Sequence, residues 1–202
     1  MQVIKNLIKK VLKTYNFFCY DYIWASRTVV KNGKMSEGTG GFYKEDLWTM
    51  VGEEYFKGKL HEGETIYGEL VGFTPKGKPI QKSGSGAYDY GCAPCEHKIA
   101  VYRITHTGSD GAVYEMGWQA MKERCAELGV PMVEELYYGK AKDKYPQLSL
   151  TEHWHANFVA ELTKEYLEHK CPQCKNDVWA EGIVLRKEGK SIEVYKLKSV
   201  NF

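Results

Sequence analysis

Apolar positions recur at helical spacing in four stretches of the chain. Residues 3–12 place Val3, Ile4, Leu7, Ile8, Val11 and Leu12 along one side, with Lys5, Lys9 and Lys10 between them. That is the pattern of an amphipathic basic helix docked on a domain with its lysines in water. Between residues 45 and 55, Leu47, Trp48, Val51 and Tyr55 share a side and predict a second helix. Trp118, Met121, Cys125 and Leu128 mark a third, which stops at Gly129 and Pro131. Residues 151–169 predict a fourth, with Trp154, Phe158, Leu162 and Tyr166 as its inner stripe.

Other segments alternate as strands do. These are residues 22–30, 66–73, 99–106, 182–186 and 192–198. Two stretches rich in Gly and Ser, 31–41 and 76–90, read as loops, and residues 108–111 read as a turn. Lys187-Glu188-Gly189-Lys190 joins the last two strands. Short connections between neighbouring strands imply antiparallel pairing, so the expected class is α+β. No internal repeat interrupts the 202 residues, which suit one domain over 1–202.

Composition narrows the picture. With 43% apolar and 27% charged residues the chain can bury a core. The 28 Lys and Arg nearly balance the 26 Asp and Glu, leaving a net charge of +2. This excludes the global basicity of histone-like chains while leaving room for a local basic cleft. No apolar run is long enough to span a bilayer, and lysines interrupt the first dozen residues where a signal peptide would be uniformly apolar. A soluble, cytoplasmic protein is expected. Aromatic residues reach 13%, which serves a β-rich core first and a base-stacking surface second.

The last strand carries the sharpest chemical signal. In Tyr195-Lys196-Leu197-Lys198, strand periodicity puts the two lysines on one face, about 7 Å apart. Side-by-side ammonium groups repel unless an anion lies between them, and a phosphate suits; a solvated edge strand is the plainer alternative. Glu181 opens the preceding strand, where period two has it share a face with Ile183 and Leu185. Glu69 is expected on a face with Tyr67, Val71 and Phe73, between Gly68 and Gly72. A carboxylate on an apolar face needs a partner, a metal or a catalytic role. Two inward carboxylates with two lysines make a plausible phosphate-plus-Mg²⁺ site.

Taken together these segments resemble a family. Tyr67-Gly68-Glu69-Leu70-Val71-Gly72 looks like motif III of the covalent nucleotidyltransferases, Glu181-Gly182-Ile183-Val184-Leu185-Arg186 like motif IV, and Lys196-Leu197-Lys198 like motif V. Ala100-Val101-Tyr102-Arg103-Ile104 stands where motif IIIa belongs, and Ser26-Arg27-Thr28 resembles the arginine element that follows the nucleophile. Order and spacing are similar to those of ATP-dependent RNA ligases of the RNA ligase 2 type, many of them phage-encoded and tied to RNA repair. The resemblance implies an α+β nucleotidyltransferase (ATP-grasp-like adenylation) domain of antiparallel sheets flanked by helices. It also implies ATP and Mg²⁺ as cofactors, and nicked or broken RNA ends as partner. A phage-encoded chain would work in the host cytoplasm.

In such enzymes a lysine attacks the α-phosphate of ATP to give lysyl-AMP. The AMP then passes to an RNA 5′-phosphate, and a 3′-hydroxyl displaces it. Positioning and charge neutralisation dominate such transfers. The resemblance implies that Glu69 accepts a hydrogen bond from the ribose and that Tyr102 stacks on the adenine. It has Glu181 hold Mg²⁺ near the nucleophile and has Lys196 and Lys198 neutralise the α-phosphate. Arg27 would grip the RNA 5′-phosphate, where a planar donor fork suits an anion.

The family's nucleophile lies in a Lys-x-Asp/His-Gly motif upstream of the arginine element, and residues 1–202 contain none. Lys31-Asn32-Gly33 is one residue short and follows Arg27 instead of preceding it. The expectation is an N-terminally truncated or split form, unable to form lysyl-AMP by itself, with a separate polypeptide carrying the lysine as one partner consistent with that.

Cys92-Ala93-Pro94-Cys95 and Cys171-Pro172-Gln173-Cys174 are two Cys-x-x-Cys knuckles. Brought together by the fold they would make a structural Zn²⁺ site; left apart they are four free cysteines, and both readings stand. Cys19 and Cys125 read as packing residues, and His97, His106, His153 and His155 as structural or surface residues. The rivals to the ligase reading are a zinc-stabilised, non-catalytic RNA-binding module and a DNA ligase or capping-type relative. The ligase reading requires Glu69, Glu181, Lys196 and Lys198 to converge on one cleft.

Overall fold

The computed structural model describes residues 22–26, 30–31, 46–84, 86–148 and 152–202. The helix expected over 3–12, Cys19, Arg27 and residues 32–41 of the expected loop lie outside the described residues. The chain divides into two compact units between Gly63 and Glu64.

In the first unit, strands β1 (Trp24–Ala25) and β2 (Val30–Lys31) pair antiparallel, and helix α1 spans Leu47–Tyr55. Asp46 starts the helix by accepting from the Thr49 hydroxyl at 2.8 Å and from its backbone N–H at 3.4 Å. Leu47 and Val51, four apart, are buried. Gly52 leaves a flat spot on α1 for the Trp24 indole: a Cβ there would lie 2.3 Å from Trp24 Cδ2.

The second unit carries the candidate chemistry. Its central sheet runs in the order β3 (Glu64–Gly72), β6 (His97–Thr107), β7 (Val113–Glu115), all antiparallel. Strand β7 follows the expected 108–111 turn but is too short and too exposed to leave an alternating signature. The 76–90 stretch, expected as loop, holds a small ribbon of β4 (Lys82–Ser83) and β5 (Gly86–Ala87). Helix α2 (Trp118–Leu128) buries Met121, Cys125 and Leu128 and packs on β6. Gly129, at φ 71°, ends it in the left-handed conformation that only glycine adopts cheaply. An ion pair locks α2 to the start of β3: Arg124 donates through Nε to Glu64 Oε1 at 2.7 Å and through a terminal nitrogen to Oε2 at 2.8 Å. Both side chains are nearly buried, so this two-point geometry offsets the cost of dehydrating them.

Beyond the short helix α3 (Ala141–Lys144), helix α4 (Trp154–Tyr166) covers the ribbon formed by β8 (Gly182–Lys187) and β9 (Glu193–Lys198). Tyr145, Leu162, Leu167 and Ile183 form the buried cluster between them, edged by Phe158, Tyr166, Leu185 and Leu197. The expected stripe of α4 is only partly inward, since Trp154 stays 38% exposed at the helix start.

Glu181 departs from the sequence pattern. Ile183 pairs with Leu197, and both point into the α4 cluster; Val184 pairs with Lys196 on the opposite face. Glu181 reaches Lys196, so it serves the lysine side and not the apolar side. Gly182 breaks the alternation with φ 138°, a backbone state other residues rarely adopt. A Cβ on it would sit 2.0 Å from Leu197 O, so nothing but glycine fits.

A buried carboxylate ties the loops around this ribbon. Asp89, 3% exposed, accepts backbone N–H groups from Gly91 at 2.8 Å and from Lys175 and Asn176 at 3.1 Å. Burial alone would raise its pKa, but these donors outweigh burial and hold it below the ordinary range. Next to it Tyr88, 1% exposed, donates to Trp179 O at 2.6 Å.

Gly182→Ala is expected to destabilise the protein by at least about 2 kcal/mol, because the clash is with backbone and cannot relax by a rotamer change; urea unfolding measures it. Asp89→Ala should cost about 3 kcal/mol near neutral pH by orphaning buried donors. A depressed carboxylate stabilises the fold above its unfolded pKa and loses that contribution as pH falls through its folded value. The gap between parent and Asp89→Ala should therefore narrow below about pH 4, which melting curves across acid pH would show.

Candidate nucleotide cleft

The β3–β6 pairing explains how one sheet face gathers its functional groups. Tyr67 pairs with Arg103 and Gly68 with Val101, so Tyr102 is the extra residue of a β-bulge. Before the bulge the buried residues of β6 are Ile99 and Val101; after it the phase shifts to Ile104. Tyr102 is thereby thrown out, 46% exposed, on the side of Tyr67 and Glu69. Gly68 is required on the inner side, where a Cβ would meet Ile99 Cγ1 at 2.6 Å.

Glu69 reaches solvent, yet the surrounding protein removes enough water to raise its pKa. Burial is the leading cause, the negative charge of Glu181 adds to it, and the positive charge of Lys196 opposes. Lys196 Nζ donates to Glu181 Oε1 at 2.5 Å. Thus residues 69, 181 and 196, far apart in sequence, act on one another in space. Tyr102 is part of the same group: burial first, then the charge of Glu69, push its phenol up. Lys198 stands on the face of Lys196, opposite Gly182, with its ammonium 5.8 Å from the Phe202 ring centre. Among the described residues Glu69, Tyr102 and Lys198 make no hydrogen bond or ion pair, so their functional groups are open to a ligand.

Tyr90 and Asp89 escaped the sequence reading. Tyr90 takes a left-handed backbone, φ 48°, unusual for a tyrosine. Lys98 Nζ fixes its carbonyl at 2.7 Å, and the Tyr88 ring lies 6.0 Å away. Burial, followed by the charges of Glu69, Cys171, Cys174 and Glu181, raises its phenol strongly. It therefore lines the wall between the carboxylates and the second cysteine knuckle. The signal available in advance was Asp89-Tyr90-Gly91, whose Asp side chain caps the N–H two residues on.

The two Cys-x-x-Cys knuckles lie on neighbouring loops, with Asp89 accepting from the Lys175 backbone just beyond the second knuckle. Among the described residues no three or more His, Cys, Asp or Glu side chains are placed to hold a metal ion. A Cβ added to Gly72 would touch Cys92 Sγ at 2.7 Å, and one on Gly77 would meet Cys95 Sγ at 3.4 Å, so these two thiols line the end of β3 and the turn after it. Cys171 and Cys174 adjoin each other under Tyr90, and burial plus a hydrogen bond with Cys171 pushes the Cys174 thiol up to about 12. Cys125 is buried in α2, as expected of a packing residue.

A family model described as RNA ligase matches residues 16–198. No curated protein and no solved structure matches the chain.

Glu69→Gln is expected to be more stable than the parent at pH 7–8, with a melting point higher by up to a few degrees. A carboxylate whose folded pKa is raised contributes fully below its unfolded pKa and loses that contribution as pH rises through the folded value. The gain should therefore vanish below about pH 4. An unchanged or lower melting point at pH 8 would mean that Glu69 is not under the strain described.

Proposed function

The chain belongs to the RNA ligase family, and from that premise we propose that the cleft between β3, β6 and the β8–β9 ribbon binds the adenosine nucleotide of an ATP-dependent RNA ligation. One observation carries this reading: Glu69, Glu181 and Lys196, drawn from three separate motifs, lie within electrostatic reach of one another. In this reading Glu69, with no partner of its own, accepts from the ribose hydroxyls. Tyr102 offers its exposed ring to the adenine, which is what a bulge at that position achieves. Lys196 and Lys198 receive the α-phosphate, and their positive charge offsets the charge that builds there as the phosphorus changes bonding partners.

The donor set also fits Mg²⁺. That ion keeps several waters and takes one or two carboxylates alongside substrate phosphates, so a full protein cage is not needed. Glu181 would hold it, with Glu69 nearby, and the ion would supply charge neutralisation at the phosphates. Arg27 is proposed as the contact for the RNA 5′-phosphate. No Lys-x-Asp/His-Gly motif occurs in residues 1–202, so the chain alone is proposed to bind nucleotide and to act on already adenylylated RNA without forming lysyl-AMP.

The test has two parts. With α-labelled ATP and Mg²⁺ no covalent adduct is expected on this chain, while titration calorimetry should detect nucleotide binding that Lys196→Ala or Lys198→Ala weakens about ten-fold. With a pre-adenylylated nicked RNA, sealing should fall by about 10²-fold or more in Lys198→Ala. If Lys198→Ala seals as well as the parent, the role given to that lysine is wrong.

A further inference from the structure

Residues 134–142 play no part in the nucleotide cleft, yet they are held as a preformed element. Val133 N–H donates to Val101 O at 2.9 Å, so the segment leaves the sheet beside the Tyr102 bulge. At its start Gln173 donates to Glu134 at 2.6 Å and Lys122 to Glu135 at 2.9 Å, with Trp118 Nε1 on the same Glu135 carboxylate. At its end Lys144 sits 5.0 Å from the Tyr137 ring centre while donating to Tyr166 at 2.6 Å and Glu165 at 2.9 Å. The Tyr137 hydroxyl donates to Lys140 O at 3.1 Å.

Between these anchors the segment turns large side chains outward. Leu136, Tyr137 and Tyr138 are 48%, 44% and 55% exposed. Tyr138, Lys140 and Lys142 make no side-chain hydrogen bond, ion pair or ring contact with described residues. Residues 136–144 contain three lysines, Lys140, Lys142 and Lys144, against one acid, Asp143, while both acids just before them are already paired. A segment anchored at both ends that leaves the Tyr138 ring bare, with unpaired Lys140 beyond it and unpaired Lys142 in the first turn of α3, has the makeup of a surface that stacks one base and follows a phosphate chain.

We propose that residues 136–142 form a docking platform for single-stranded RNA leading to the cleft, with Tyr138 stacking on an unpaired base and Lys140 and Lys142 contacting backbone phosphates. The platform rests on the ligase reading and deepens it by naming how the RNA end is held. Single-stranded RNA is favoured over duplex because only unpaired bases can lie flat on a side-chain ring.

The experiment uses the full chain and a fluorescently labelled single-stranded RNA of about a dozen nucleotides, titrated at several salt concentrations. Tyr138→Ala should weaken binding about ten-fold, and Tyr138→Phe should keep it, since stacking needs the ring and not the hydroxyl. The pair Lys140→Ala/Lys142→Ala should reduce the slope of log affinity against log salt by about 1.4. Blunt duplex RNA should be little affected by Tyr138→Ala. ATP affinity should be unchanged in all three variants, because none touches the cleft, whereas Lys196→Ala and Lys198→Ala should lose ATP. Failure of the ligase reading would thus show in ATP binding alone. Parent-like RNA affinity in Tyr138→Ala, an equal loss in Tyr138→Phe, an unchanged salt slope, or an equal loss on duplex would each overturn the platform.

Discussion

In the second unit one ammonium, Lys196, pairs with Glu181 and leaves a second carboxylate, Glu69, within electrostatic reach but without a partner of its own. Lys196 gives its hydrogen bond to Glu181. Glu69 feels both groups but pairs with neither, and its pKa rises through enclosure and through repulsion from Glu181. Glu69 still reaches solvent, so its partial enclosure disfavours the charged form without orphaning it, and the carboxylate stays accessible to a donor from outside. Local strain gathers at the same place: a left-handed Tyr90, a glycine-only φ at Gly182 and the bulge at Tyr102. Such features persist where the surroundings over-determine them, as Lys98 does at the Tyr90 carbonyl.

Two kinds of contact keep these groups together: an apolar core under the sheet, with Leu70, Ile99, Val101, Ile104 and Met121 buried, and polar bonds that orient the loops. The apolar cluster under β8–β9 is small, with four buried members. Side-chain to backbone bonds orient the loops around it: Asp89 to three N–H groups, Tyr88 to Trp179 O, and Arg186 to Met116 O at 2.6 Å. Apolar contact is non-directional, whereas a carboxylate accepting three backbone donors fixes both distance and angle. That division suits a site in which residues from three strands are held within electrostatic reach of one another.

Much of this was legible in the sequence, and the exceptions share a cause. Alternation found β3, β6, β8 and β9 to within a few residues, and ordered motifs singled out Glu69, Glu181, Lys196 and Tyr102. The assignment of Glu181 to the face of Ile183 and Leu185 failed because period two holds only while φ stays extended, and Gly182 reverses it. The same limit hid the bulge: one extra residue at Tyr102 moves the buried phase of β6 from Val101 to Ile104, and only the register with β3 reveals it. The cysteine spacing left a zinc site and four free thiols equally open, because whether four sulfurs converge is a tertiary fact that spacing cannot supply. Strand β7 and the β4–β5 ribbon were missed because two or three residues are too few to show a period.

The pairing of Lys196 with Glu181 also sets the order of events that the proposed reading allows. An α-phosphate approaching Lys196 competes with Glu181 for the same ammonium. If the carboxylate stayed in place, the anion would meet two negative groups, Glu69 and Glu181, across the same small space. The conflict is relieved when Glu181 finds another cation, and the one that accompanies nucleotide phosphates is divalent. In the proposed reading Lys196 would turn from carboxylate to phosphate, while Lys198, free of any ion pair among the described residues, would need no release. The two lysines are therefore unequal among the described residues: Lys196 is paired with Glu181, and Lys198 makes no ion pair. That asymmetry arises from a single glycine, because only the backbone turn at Gly182 brings Glu181 to the lysine side of the ribbon.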